Sequence, residues 1–498
     1  MLKRIRVALA VLFFGAALLL FLDFTGLLQR WLGWVADVQF IPALLSLNLV
    51  VVVVAVAITF VFGRIYCSVI CPLGIFQDVV SHLSTSRKKH RYMFKYRKER
   101  SLVRYGFLVL FIITLVAGIP AIFTLLEPYS AFGRIVSEIF APVYRLVNNL
   151  FADIAQRADS YLFYSREVLF KGFAVLGISV VTLVVVTIFA WREGRGYCNT
   201  VCPVGTLLGL ISRFSLFRPF IDSSKCTKCK VCEKRCKSCA IDSDSHKIDM
   251  SRCVVCFDCL GNCKSGAISY KLRPLKSIPL KKEAVNNSAV NKTAEESAGD
   301  ISRRSFISLT ALLASSAMLK AQKEKVDGGL AVIEQKRQPD RKVPVTPPGS
   351  GGYRRLSDHC TACQLCITSC PSDILRPSQS LDRFMQPYMT FENGYCRPEC
   401  TRCSSLCPTG AIKKIDRAEK SAVHIGHAVW LEENCLVAKG MCCGNCVKHC
   451  PAGALSYTDG GIAVDESRCI GCGSCEYHCP SRPYSAIYVE GNQRHIVE

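Results

Sequence analysis

Four long apolar runs occupy the first two hundred residues: Val7 to Phe24, Phe40 to Phe62, Tyr105 to Leu126 and Gly172 to Trp191. Each approaches the roughly 20 residues a helix needs to cross a hydrocarbon layer about 30 Å thick. The pattern predicts a four-helix membrane domain over residues 1–221; buried core helices are the ordinary alternative, and four such runs weigh against them. Basic residues orient it. Arg87 to Arg104 reads RKKHRYMFKYRKERSLVR, and Lys3, Arg4 and Arg6 precede the first run, whereas the loop around Trp31 and Trp34 carries one arginine. Cytoplasmic loops hold the Lys/Arg excess, so both ends of the domain are expected inside. The amphipathic stretch from Ala131 to Gln156 then falls outside, on the membrane face or as part of a partner site. Asp23 and Glu127 near the outer ends, and Asp78 near an inner one, read as interfacial residues.

Beyond residue 221 the apolar runs stop and short polar, glycine-punctuated segments take over. Residues 271–300 are rich in Lys, Asn, Ser, Ala and Glu with almost no aromatics, the composition of a disordered linker. Within 301–321, Ser302-Arg303-Arg304-Ser305-Phe306-Ile307 precedes a mildly apolar stretch to Leu319, similar to a twin-arginine export signal placed internally; a chance arginine pair before a short anchor is the alternative. Residues 322–352 end in PVTPPGSGG and are expected as an extended tether. The net charge of +23 is a topology signal, assisted by anionic lipid, rather than a nucleic-acid footprint.

The chemistry lies in the 30 cysteines. Six times three closely spaced cysteines are followed by a fourth, the ligand pattern of bacterial [4Fe-4S] ferredoxins. Residues 222–270 carry Cys226, Cys229, Cys232, Cys236 and Cys253, Cys256, Cys259, Cys263. Residues 353–498 carry Cys360, Cys363, Cys366, Cys370; Cys396, Cys400, Cys403, Cys407; Cys435, Cys443, Cys446, Cys450; and Cys469, Cys472, Cys475, Cys479. A cubane needs thiolates converging on a small volume, and cysteines two apart deliver three from one loop. In two-cluster ferredoxins the fourth cysteine serves the other cluster, which predicts Cys263 with the first triplet and Cys236 with the second. The fold class expected is multi-domain: the helical membrane domain plus α+β ferredoxin-like [4Fe-4S] domains, two-cluster and four-cluster. Zinc favours separated C-x2-C knuckles, and disulfide scaffolds suit short secreted chains; neither matches. Cys442 competes with Cys443 as ligand, and Cys239 reads as a structural spare.

A second repeat stands apart: Gly63-Arg64-Ile65-Tyr66-Cys67-Ser68-Val69-Ile70-Cys71-Pro72-Leu73-Gly74 against Gly194-Arg195-Gly196-Tyr197-Cys198-Asn199-Thr200-Val201-Cys202-Pro203-Val204-Gly205. Each copy follows an apolar run, so the halves read as same-sense repeats of two helices plus a C-x3-C-P loop. Ile75, Phe76, Val79, Val80 and Leu83, and Leu207, Leu208, Ile211 and Phe214, predict a helix after each proline, lying in the membrane interface. Facing repeats would bring Cys67, Cys71, Cys198 and Cys202 together as one metal or cluster site. Redox-active dithiols or packing cysteines are the alternatives, and spacing alone does not separate them.

With these motifs, residues 1 to about 270 resemble the NapH-type membrane ferredoxins of periplasmic nitrate reductase systems, and share the C-x3-C-P motifs of nitrous-oxide reductase regulatory proteins. Residues 301 to about 490 resemble the exported NapG-type four-cluster partner. The resemblance implies six [4Fe-4S] clusters, membrane quinol as electron donor, a periplasmic reductase or cytochrome c as acceptor, and the twin-arginine machinery as export partner. It places the chain in the bacterial inner membrane, two-cluster domain cytoplasmic and four-cluster domain periplasmic. It also implies nested pairing in the latter, first motif with fourth and second with third. No CXXCH haem motif and no G-x-G-x-x-G after a strand occurs. The expected role is an electron-transfer component that transforms no substrate itself. A redox assembly or maintenance factor for a periplasmic metalloenzyme is the alternative, and a redox sensor using Cys239 ranks last.

Overall fold

The computed structural model describes residues 1–23, 25–86, 94–157, 159, 172–273, 334–458 and 460–497. The first apolar run is helix α1 (Leu2–Leu22). The second is broken: a short helix Phe40–Leu45 turns at Leu47, whose φ is +56°, before α2 (Leu49–Phe62), capped by the Asn48 side chain. The first C-x3-C-P loop forms α3 (Tyr66–Val69) and α4 (Pro72–Ser86). The third run is also split, into α5 (Ser101–Val116) and α6 (Pro120–Leu126), with Gly118 at φ +66° and Pro120 opening the second piece. Proline supplies no N–H and clashes with a preceding turn, so α5 stops before it. Next come α7 (Pro128–Ile135), a π-helical turn Val136–Phe140, and α8 (Ala141–Arg157). The fourth run is α9 (Phe173–Glu193), followed by α10 (Gly196–Thr200) and α11 (Pro203–Ser212). Among the described residues two helices, α1 and α9, are long and apolar enough to cross a membrane. The four unbroken spans expected from hydropathy thus become two, with two interrupted segments.

Two further expectations change. Residues 128–136 are fully buried, and α7 packs against α4 and α9 rather than on an outer surface. Helix α4 packs against α1 and α9, and α11 against α2 and α5, so both post-proline helices belong to the helical core instead of lying flat in an interface.

The two-cluster unit begins at β1 (Phe217–Ile221), which pairs antiparallel with β2 (Ile268–Leu272), Phe217 opposite Leu272, ahead of the boundary expected at 222. In the four-cluster unit β3 (Val423–Trp430) pairs antiparallel with β4 (Ile487–Val497), Ile487 opposite Trp430. Residues 338–352, expected as a tether, are packed into that unit. Arg341 pairs with Glu476 at 2.6 Å, and Val345, fully buried, accepts from the Met389 amide. A proline-rich strand offers few N–H groups but its carbonyls and rings still fill an edge. The expected linker at 274–300, the twin-arginine-like segment at 301–321 and residues 322–333 lie outside the described residues.

Residues 1–273, 338–481 and 485–498 form one compact unit. Within it, the two ferredoxin units meet opposite ends of the helical part. At one end Lys3 pairs with Asp258 at 2.7 Å, Arg104 donates to the Ser251 carbonyl, and the Arg195 amide donates to the Lys237 carbonyl. At the other, Arg402 donates to the Thr25 carbonyl, α6 packs on the Leu381–Arg383 turn, and Val175 at the start of α9 packs with Ala362 and Met385.

Candidate iron–sulfur centres

In four of the six motifs the residues on both sides of the middle cysteine have left-handed backbone: Lys228 and Lys230, Val255 and Phe257, Ala362 and Gln364, Gly471 and Gly473. That conformation is costly for residues other than glycine, most of all for a β-branched one such as Val255. Alternating hands curl the loop so that its amides point inward, the kind of nest that holds phosphates and iron–sulfur groups. The two motifs with altered spacing, Cys396 to Cys403 and Cys435 to Cys446, lack this signature. A second regularity follows the fourth cysteine: Cys239, Gly266, Asp373, Gly410 and Gly453, each three residues on, are all left-handed. The turn returns an amide to the sulfur, as from Ala454 to Cys450 at 3.3 Å. Cys239 therefore fills a turn position, with its own thiol on the Glu193 carbonyl.

Four small apolar cavities show which cysteines converge. Cys253, Cys256 and Cys259 share one with Cys236, as expected. Cys396, Cys400 and Cys403 share one with Cys370, Cys469, Cys472 and Cys475 one with Cys450, and Cys435, Cys443 and Cys446 one with Cys479. Cys360 and Cys366 cluster with Cys407. Pairing in the four-cluster unit is therefore sequential, first motif with second and third with fourth, and not nested. Cys443 lines its cavity while Cys442 is exposed, so of the two it is Cys443 that stands with Cys435, Cys446 and Cys479. Cys226, Cys229 and Cys232 form the most open site, Cys229 being exposed.

The donor set fits a cubane better than a single ion. Among the described residues no three His, Cys, Asp or Glu approach closely enough for one metal, yet four thiols surround each cavity. Burial pushes the thiols of Cys256, Cys363 and Cys472 up to about 12, so unoccupied they hold protons that a cluster must displace.

The C-x3-C-P loops meet across a pseudo-two-fold axis. Arg64 of the first copy donates to the Cys198 carbonyl of the second at 3.3 Å, and Arg195 of the second donates to the Cys67 carbonyl of the first at 2.6 Å. Gly74 and Gly205 occupy equivalent places: a Cβ on either would lie within 2.4 Å of the Cys67 or Cys198 carbonyl and crowd the arginine beside it. Cys67, Cys71, Cys198 and Cys202 are all buried. Gln77 donates to Cys198 Sγ at 3.1 Å and the Gly205 amide to Cys202 Sγ at 3.3 Å.

Sequence reasoning assigned no role to either arginine, although both stand at the same position of the repeat. Asp78, expected at an interface, is buried and pairs with Arg6 at 2.8 Å, Arg195 at 2.9 Å and Lys237 at 3.7 Å. Asp23 and Glu127 are buried caps: Asp23 accepts from the amides of Thr25, Gly26 and Gln29, and Glu127 from those of Tyr129 and Ser130 at the start of α7.

The family description "4Fe-4S binding domain" matches residues 45–90 and 172–221, the two C-x3-C-P repeats, and "4Fe-4S dicluster domain" matches residues 441–482. The chain is 33% identical over 127 residues to the methylamine utilization ferredoxin-type protein MauM of Methylobacillus flagellatus, covering 25% of this chain and 53% of that protein. It is 30% identical over 138 residues to the ferredoxin-type protein NapG of Escherichia coli, covering 25% and 58%. It is 30% identical over 176 residues to the methylamine utilization ferredoxin-type protein MauN of Paracoccus denitrificans, covering 35% and 48%. The chain spans about half the length of these relatives. Cavities, motifs and likenesses agree on [4Fe-4S]-binding segments of the ferredoxin type, similar to parts of MauM and NapG.

Proposed function

We propose that this chain is a membrane-anchored polyferredoxin that passes electrons from membrane quinol through [4Fe-4S] clusters to a reductase or cytochrome c on the outer side of a bacterial inner membrane. The observation that carries this reading is the series formed by the cysteine sites. The Cys396 amide donates to the Cys472 carbonyl at 2.9 Å, joining the second and fourth motifs of the four-cluster unit. Sequential pairing then orders that unit as Cys360/Cys363/Cys366/Cys407, Cys370/Cys396/Cys400/Cys403, Cys450/Cys469/Cys472/Cys475 and Cys435/Cys443/Cys446/Cys479. When bound, each cluster supplies a one-electron carrier. The chain's residues hold it in an apolar cavity and aim backbone amides at its sulfurs.

The membrane assignment is supported by α1 and α9 and by the apolar side chains the helical part exposes, among them Val11, Val53, Ile113 and Val181. Such a surface is unfavourable in water and suits lipid. Attachment of the ferredoxin units to opposite helix ends supports a two-cluster domain inside and a four-cluster domain outside, the latter exported by the twin-arginine route. A reduced quinol analogue added to anaerobic membranes should bleach the cluster absorbance. An unchanged spectrum with intact clusters contradicts the quinol donor.

A further inference from the structure

We propose that the open cysteine site of the two-cluster unit, Cys226, Cys229 and Cys232, is the docking point of a small acidic electron-carrier protein, and that the exposed lysines around it select that partner. The inference rests on the relay reading above and on its cytoplasmic placement of this unit, and adds to it a soluble electron donor.

Openness is the first argument. Cys236, Cys253, Cys256 and Cys259 share an apolar cavity whose lining also grips the helical part: the Ser238 carbonyl accepts from Asn199 at 3.2 Å, and Asp258 pairs with Lys3 at 2.7 Å. The other site is different. Cys229 is exposed, and Cys226 and Cys232 are half-buried. A carrier that exchanges single electrons must bring its own cofactor close to a cluster without entering the fold, and of the two sites this is the one open to it.

Charge is the second argument. Residues 225–237 hold six basic residues and one acidic, whereas residues 353–498 hold 15 of each, so the positive rim belongs to this site and not to cluster loops in general. The single acid, Glu233, is engaged within the protein, accepting from the Tyr96 amide at 3.2 Å and from the Ser243 hydroxyl. Lys237 turns inward to Asp78 and Asp258. Lys225, Lys228, Lys230 and Lys234 stay exposed, as does Lys264 beside Cys263, the expected fourth ligand. Lys230 keeps one anion, Asp244, at 2.8 Å. A rim of one sign steers a partner of the other sign into the correct encounter.

Backbone strain is the third. Lys228 and Lys230 flank Cys229 with φ of +51° and +58°, a conformation that glycine adopts freely and other residues at a cost. At the corresponding places of two other motifs, Val255, Phe257, Ala362 and Gln364 are buried, and their packing offsets the strain. The two lysines are exposed and gain no such packing. A charged side chain kept at a strained, solvent-facing position is accounted for by what it meets outside the fold. In each encounter one electron passes from the reduced carrier to the oxidised cluster; the carrier is oxidised by one electron, the cluster reduced by one, and no bond is made or broken. Such redox encounters are small and transient.

The test uses the full holoprotein, purified without oxygen into nanodiscs of neutral lipid, with an acidic flavodoxin as probe. Raising the ionic strength from about 0.01 M to about 1 M shortens the screening length from about 30 Å to about 3 Å, and should weaken flavodoxin binding and slow cluster reduction by its hydroquinone. At low salt, Lys225→Gln/Lys228→Gln/Lys264→Gln should lower the second-order rate constant at least about tenfold. Iron content and EPR signals should be unchanged, and reduction by the cationic methyl viologen radical should not slow. Equal flavodoxin rates in variant and unaltered protein, or rates indifferent to salt, overturn the docking surface and leave the relay reading standing. Loss of binding to anionic-lipid vesicles with flavodoxin rates intact assigns the lysines to the membrane and overturns it too. Absence of the clusters from the unaltered protein overturns the relay reading itself. Should the triple variant lose iron, Lys228→Gly, which suits the left-handed backbone, decides: it should show part of the same loss of rate, and no loss overturns the proposal.

Discussion

The ferredoxin loops and the helical cysteine quartet gather four thiols by different means. In the loops, three cysteines come from one short segment bent by left-handed residues such as Val255 and Phe257, and the fourth from a neighbouring motif. In the quartet, no loop is bent to that degree. Two distant loops, 131 positions apart as Cys67 and Cys198 count, are brought face to face by arginines that each reach across to the other copy. The first solution stores local backbone strain and is half-open to water; the second stores buried charge and is closed. A local device tolerates exchange of whole motifs, while a symmetric one ties the site to the packing of the entire helical part.

The contrast can be broken most forcefully by removing iron. Chelation under reducing conditions should unfold both ferredoxin units while α1 and α9 persist, because the strained loops hold their form only around the bound group. Circular dichroism should lose the small ferredoxin contribution and keep the helical one, and limited proteolysis should cut within 222–270 and 353–498. Next in size, Cys443→Ser should remove about four irons, while Cys442→Ser should remove none; equal losses by iron assay would contradict the cavity lining.

A smaller effect concerns attachment. Against the upward push of burial, Lys237 and Lys3 hold the Asp258 carboxyl below its usual range. A depressed carboxylate contributes stability that is complete above its unfolded pKa and lost as pH falls through the folded one. Docking of the two-cluster unit should be constant from about pH 5 to 8 and weaken below about pH 4; in Asp258→Asn that acid limb should flatten. Smallest of all, Lys228→Gly relieves a left-handed residue and should stabilise the unit by about 0.5–1 kcal/mol, read by denaturant titration of the holoprotein.

How much of this was written in the sequence depends on range. Cluster motifs are local: spacing alone picks out the 24 cysteines as a set, most of which the structure gathers around small cavities, and repetition alone suggested that Cys67, Cys71, Cys198 and Cys202 meet. What depends on tertiary packing was less legible. The pairing of Cys370 with the second triplet and Cys479 with the third is a choice that spacing leaves open and that tertiary packing of the motifs makes. Hydropathy counts apolar residues but does not weigh the turn at Leu47 or Pro120, so it joined segments that the backbone breaks. Residues 338–352 looked like a tether because proline and glycine dominate them, yet the same prolines pack as an edge. Asp78 and Arg134 carry no local mark of burial at all; only Arg64 and Arg195, repeated in register, offered a signal.

Mössbauer spectroscopy of the iron-57-enriched full chain, purified without oxygen, tests the central claim most directly. The account predicts about 24 irons per chain, four for each of six [4Fe-4S] clusters, with acid-labile sulfide to match. Zinc in place of iron, or iron without acid-labile sulfide, would contradict it.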